Sequence, residues 1–172
     1  DQCEESGSLE GLALPEKVSP RACARGRKQL GTLGAGNHFM EVQVVDEVFD
    51  EETARVFGVH KPGQVVIMIH CGSRGLGHQV CSDYLRRMED SFPDIMAKLP
   101  EKDLIYAPAE SALAKDYFGA MCAAANFAWA NRHMIGSQVR KGVQQIFGDN
   151  VSVDTVYDVA HNIGKIETHL IG

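Results

Sequence analysis

Residues 62–88 constrain the fold of this chain more than any other stretch. A Pro62-Gly63 turn precedes the β-branched apolar run Gln-Val-Val-Ile-Met-Ile at 64–69, which reads as a buried strand. The run passes directly into His-Cys-Gly-Ser-Arg-Gly at 70–75. From Leu76 the pattern changes to the helical period, with Val80, Tyr84, Leu85 and Met88 on one stripe. A strand, a glycine turn and a helix start make an anion seat, because unpaired N–H groups and the positive end of the helix dipole both face the turn. Arg74 adds a charge-assisted grip on phosphate, the alternative being that it pairs a structural carboxylate.

His70, at the exit of that strand, has two counterparts. Gly-Ala-Gly-Asn-His-Phe at 34–39 puts His38 at the entrance of an alternating, half-buried strand over 39–45, with Glu41 and Gln43 on one face and Met40, Val42 and Val44 on the other. Val-Ser-Val-Asp-Thr-Val-Tyr-Asp-Val at 151–159 alternates as a further strand and ends in Ala160-His161-Asn162. Imidazole is the commonest borderline metal ligand, and glycine turns let backbone N–H groups approach an anion, so the recurrence points to metal-assisted phosphoryl chemistry. One histidine at a strand end is more often structural, and Gly-x-Gly alone is a weak signal. Three similar settings together carry the expectation. Asn37 and Asn162 adjoin candidate ligands, and their amides suit either a turn cap or a phosphate or ribose oxygen. His60, His78 and His133 lack such framing and read as structural or solvent-exposed, and His169 stays open. Cys71 is expected to point away from the His70 face.

The rest of the chain is scaffold. Residues 1–14, rich in Gly, Ser and Glu, read as a loop that begins in the middle of a protein. Ser19-Pro20 predicts a helix opening, with a basic strip of Arg21, Arg25, Arg27 and Lys28 running towards Gly31. Three- and four-residue steps from Phe118 through Ala128 to Ile146 predict a long buried helix over 117–147, with Gly136 as a break. A net charge of −6 excludes a nucleic-acid surface spread over the whole chain and confines any RNA contact to a local strip. The cysteines Cys3, Cys23, Cys71, Cys81 and Cys122 form no Cys-x-x-Cys pair and read as reduced thiols. The apolar run at 65–69 is far shorter than a bilayer span, and residues 1–30 lack the order of a secretory signal, so a cytoplasmic protein with no membrane partner is expected.

Three motifs carry a resemblance: Gln-Leu-Gly-Thr-Leu-Gly-Ala-Gly-Asn-His-Phe-Met-Glu-Val-Gln at 29–43, His-Cys-Gly-Ser-Arg-Gly-Leu-Gly-His-Gln at 70–79 and Tyr-Asp-Val-Ala-His-Asn at 157–162. With Ala-Ala-Ala-Asn-Phe-Ala-Trp-Ala-Asn-Arg at 123–132, they closely resemble the RtcB family of RNA-splicing ligases across nearly the whole chain. The resemblance implies an α+β fold of layered mixed sheets and packed helices. It also implies GTP- and manganese-dependent joining of RNA 2',3'-cyclic phosphate or 3'-phosphate ends to 5'-hydroxyl ends through a guanylated histidine. On the family pattern His38 binds one of two manganese ions, and His70 and His161 bind the second. Asn37, His38, Phe39, Met40, Glu41, His161 and Asn162 would hold the guanylate, and Arg74 the phosphate, with Asn37, His38, His70, Arg74 and His161 as the catalytic set. RNA, GTP and an activating protein are the expected partners.

The family's bridging cysteine, in an Asp-x-x-Cys-Gly motif, is expected upstream of Asp1, and the guanylated histidine downstream of Gly172. Residues 1–172 are therefore expected to be the central portion of a single catalytic domain, inactive in ligation alone. Two other functions fit the same residues: a metal-dependent phosphoesterase that activates water, and a non-catalytic RNA- or phosphate-binding fragment.

Overall fold

In the computed structural model, which describes residues 2–171, Ser19-Pro20 opens helix α1 (Pro20–Gly26). The Ser19 hydroxyl accepts the Ala22 N–H at 3.1 Å and donates to the Asp83 carboxylate at 2.6 Å, so the cap also fastens α1 to helix α3 (Arg74–Ser91). The two helices approach closely because position 26 has no side chain: a Cβ on Gly26 would lie 2.8 Å from Leu76 Cβ. The stripe read from the sequence is the buried face of α3. Val80, Tyr84 and Met88 pack with Ala22, Ile105 and Ala120, while Leu85 is partly buried beside them. Burying Val80 or Met88 contributes about 1.5–3 kcal/mol each.

Ser111 caps the long helix α5 (Ala112–Phe147) by accepting the Ala114 N–H at 3.1 Å. Its alanines let it bury two sides. One meets α3, where Tyr117 stacks on Tyr84 with ring centroids 5.0 Å apart; the other presents Cys122, Ala125 and Trp129 to Leu9, Ala160 and Ile163. Burial pushes the Tyr117 phenol up to about 12 and raises the Cys122 thiol. Gly136 lies inside the continuous helix and does not break it, because one glycine costs about 1 kcal/mol against alanine, less than packing on both flanks supplies.

Strands β1 (Phe39–Val44) and β2 (Val65–His70) pair antiparallel, with Phe39 opposite His70 and Val44 opposite Val65. Between them lies helix α2 (Glu51–Val56), capped by the Asp50 carboxylate, which accepts the N–H groups of Glu52 and Thr53. A one-turn helix α4 (Pro93–Met96) follows α3. Helices and a two-stranded sheet make the chain α+β.

Two expectations are corrected. The sheet is not half-buried: Met40, Val42, Val44 and Val65 on one face are 47–72% exposed, because alternation assigns residues to a face but burial needs a layer over it. Residues 151–159 form no strand. Side chains from α5 hold this stretch instead, with Arg140 Nε donating to the Val153 carbonyl at 3.0 Å, and its one β-type contact is a parallel bridge between Asp158 and Cys3. An alternating pattern becomes a strand only where a neighbouring strand supplies hydrogen bonds. Among the described residues no helix is long and apolar enough to cross a membrane.

Candidate functional site

The antiparallel register puts the first two motifs side by side. Phe39 and His70 are cross-strand partners, their rings meeting edge to face at 5.2 Å, and His38 lies 6.1 Å from His70 between ring centroids. The third motif comes from 91 residues away, yet His161 Nε2 lies 3.1 Å from His70 Nε2. That is hydrogen-bonding distance, with one ring nitrogen donating to the other. The separation is also about the chord between neighbouring nitrogens on one ion with metal–nitrogen bonds of about 2.1 Å. The pair therefore fits as two ligands of one metal. Among the described residues no third histidine, cysteine or carboxylate completes a metal-binding group with them.

His38 is engaged differently. Its Nδ1 accepts a hydrogen bond at 2.8 Å from Arg74 NH1, and the Arg74 guanidinium lies over Gly34, where a Cβ would collide with it. Gly34 has φ +94°, so this position needs glycine both for its conformation and for the room it leaves. Burial, then the charge of Arg74, then that of His70, hold the His38 imidazole below its ordinary pKa and so neutral. Arg74 itself has φ +54°, a left-handed conformation costing about 1–2 kcal/mol for a residue with a side chain. In that conformation the side chain lies back over the glycine turn, against Gly34 and His38. The anion seat is thus partly filled from within: the Gly75 N–H at the start of α3 donates to Gln29 Oε1 at 2.7 Å. The Arg74 guanidinium, held by His38, places a cation beside the histidines at this end.

Other expected residues fall out in two ways. Glu41 shares the sheet face of Phe39 and His70 and accepts a hydrogen bond from Gln43, while Asn37, His161 and Asn162 are exposed at the same end. Met40 alternates to the opposite face, so only its backbone is available to a ligand beside His70. Cys71 is buried and turned from His70, its thiol donating to the Leu33 carbonyl at 3.1 Å. In the basic strip, Arg25 is spent within the fold, donating to Gln79 Oε1 at 3.0 Å.

Periodicity alone missed the residues that hold the motifs together. Asn131, wholly buried in α5, accepts the Gly31 N–H at 2.6 Å and the Thr32 N–H at 3.1 Å, and its amide donates to the carbonyls of Thr32 and Gly72, each at 3.2 Å. It therefore ties the first glycine loop to the turn after His70. Arg132, the next residue, reaches the His161 segment through Asp158. The carboxylate of Glu4 accepts the Ala160 N–H at 2.9 Å, and its hydrogen bond with Lys165 lowers its pKa. The signal in the sequence was Asn131-Arg132 itself, two polar residues interrupting an alanine-rich apolar helix.

The family profile described as tRNA-splicing ligase RtcB matches residues 1–172. The chain is 54% identical over 170 residues to the tRNA-splicing ligase RtcB of Pyrobaculum aerophilum, and 53% identical over 172 residues to that of Archaeoglobus fulgidus. Each match covers 98% of this chain and 35% of the relative. The Pyrococcus horikoshii protein of the same name is 55% identical over 174 residues, with 98% of this chain and 20% of the relative covered. The chain thus spans about a third or less of the length of these relatives. With its three histidine motifs gathered at one end of the fold and a match along its whole length, the chain belongs to the tRNA-splicing ligase RtcB family.

Proposed function

We propose that this chain is the central portion of the catalytic domain of a cytoplasmic RNA ligase built on the family's layered sheets. The whole protein joins RNA 2',3'-cyclic phosphate or 3'-phosphate ends to 5'-hydroxyl ends with GTP and manganese, as in tRNA splicing and RNA repair, through a guanylated histidine outside these residues. The observation that carries this reading is the meeting of His70 and His161, 3.1 Å apart, beside His38 and the Arg74 guanidinium. Manganese held by these histidines would supply positive charge that neutralises the phosphates of GTP and of the RNA ends. His70 and His161 bring their Nε2 atoms within 3.1 Å of each other, and the depressed pKa of His38 keeps its ring neutral and able to ligate. Ligation by His38 through Nδ1 requires Arg74 to move off it, and a phosphate oxygen offers the guanidinium a bidentate partner in exchange. Asn37, Phe39, Glu41 and Asn162 border the same end and hold the guanylate.

The test uses the full-length natural protein containing this chain, with a 2',3'-cyclic-phosphate RNA, a 5'-hydroxyl RNA and manganese, with and without GTP. GTP-dependent joined product is expected. Loss of the cyclic phosphate without joining would identify a phosphoesterase, and unchanged RNA would leave a binding role; either result overturns the ligase reading.

A further inference from the structure

We propose that Arg132 is a positioning residue that sets the spacing between His70 and His161. The inference rests on the reading of these two histidines as a metal-binding pair. His161 lies on a segment without regular secondary structure, so the helix and sheet ladders do not determine where its imidazole stands. The segment is braced on one side by the amino-terminal residues: Glu4 N–H donates to the Asp158 carbonyl at 2.9 Å, Asp158 N–H to the Gln2 carbonyl at 2.9 Å, and Ala160 N–H to the Glu4 carboxylate. None of these contacts reaches the strand that carries His70. Arg132 does, because its Nε donates to the Asp158 carboxylate at 2.6 Å while NH1 donates to the Cys71 carbonyl at 3.2 Å. One planar guanidinium thus grips the residue next to His70 and a residue three before His161, from a rigid position on α5.

The chemistry of the pair fits placement better than stability. The Arg132 and Asp158 side chains are 12% and 15% exposed, and the NH2 of Arg132 is screened from solvent with no hydrogen-bond partner among the described residues. A largely buried ion pair with an unused donor repays little of its desolvation cost, so its net contribution to folding is small. Its fixed fork, in contrast, defines distance and angle together, which a lysine ammonium on a flexible stem does not. Groups of this kind, one shell out from metal-binding imidazoles, typically change metal affinity or activity by about 10- to 100-fold when removed.

The experiment compares the full-length protein with its R132M, R132K and D158N variants by three readouts: Mn2+ binding followed by the electron paramagnetic resonance signal of the free ion, the thermal midpoint, and the NMR signals of labelled histidine rings in metal-free protein. R132M is expected to weaken Mn2+ binding roughly 10- to 100-fold and to shift the His70 and His161 signals, leaving His60 and His78 in place. R132K should recover only part of the affinity. D158N, which keeps the shape of the acceptor, moves the same two signals and covers the case in which R132M does not fold. A lowered thermal midpoint with unchanged Mn2+ affinity and unchanged His70 and His161 signals would make the pair merely structural and overturn the proposal. Wild-type protein that binds Mn2+ but joins no RNA would overturn the ligase reading alone, since the ring signals and Mn2+ affinity still report on Arg132.

Discussion

Replacing Asn131 by alanine tests whether α5 holds the histidine loops in place. The side chain makes hydrogen bonds to Gly31 N–H, Thr32 N–H, the carbonyls of Thr32 and Gly72, and the Cys71 sulfur. They do not count equally. Thr32 is exposed and its N–H also reaches the Gln29 carbonyl, so water and the loop itself compensate there. The Gly31 N–H and the Gly72 carbonyl are half-buried and lose their Asn131 partner. At about 1–1.5 kcal/mol each, the two amount to roughly 2–3 kcal/mol, or an opening of the first glycine loop about 30- to 150-fold more frequent. Native-state hydrogen exchange on the full-length protein reads this directly: the Gly31 amide should exchange faster by that factor in Asn131→Ala, while amides in the middle of α3, such as that of Tyr84, should not. Asn131→Asp keeps the acceptor but turns a carboxylate towards the Thr32 and Gly72 carbonyls, and should open the loop at least as much. Exchange at Gly31 within a factor of about three of wild type in both variants would mean that the loop holds itself, and would refute this account of α5.

Arg74→Gln removes one of the three influences that depress the His38 pKa, so in metal-free protein an NMR titration should show His38 protonating at higher pH than in wild type. Because the folded value lies below the unfolded one, His38 costs stability as pH falls through the ordinary histidine range, and the variant should soften that loss; an unchanged or lower titration midpoint would contradict the assignment. Glu4 is held below its ordinary value chiefly by Lys165, so the stability it supplies is present at neutral pH and disappears as its carboxylate protonates in acid. Glu4→Gln should therefore lower the urea midpoint at pH 7, and the difference from wild type should shrink as pH falls below the ordinary glutamate range. Gly136→Ala places a methyl group where the nearest atom is Arg140 NH1 at 3.5 Å, and should raise stability by about 0.5–1 kcal/mol, read as an increased denaturation midpoint.

Periodicity and capping residues determined much of this protein locally. The Ser19 cap, the strand entering His70, the apolar stripe of α3 and the long α5 all follow from interactions within a few residues, which sequence displays directly. The three histidine motifs were legible for the same reason, since each is a short run in which glycines, an asparagine or both adjoin the histidine. Tertiary structure alone decided what those motifs do to one another. The 3.1 Å approach of His161 to His70, the turn of Arg74 onto His38, and the reach of Asn131 and Arg132 into three separate segments all join residues tens of positions apart. No local pattern encodes such pairs, because they arise when α5 packs against both flanks and brings the loops within hydrogen-bonding distance. The same reason explains residues 151–159, whose alternation matches a strand but whose hydrogen-bonding partners in the fold are arginines of a helix and, at Asp158 alone, the backbone of the amino-terminal residues.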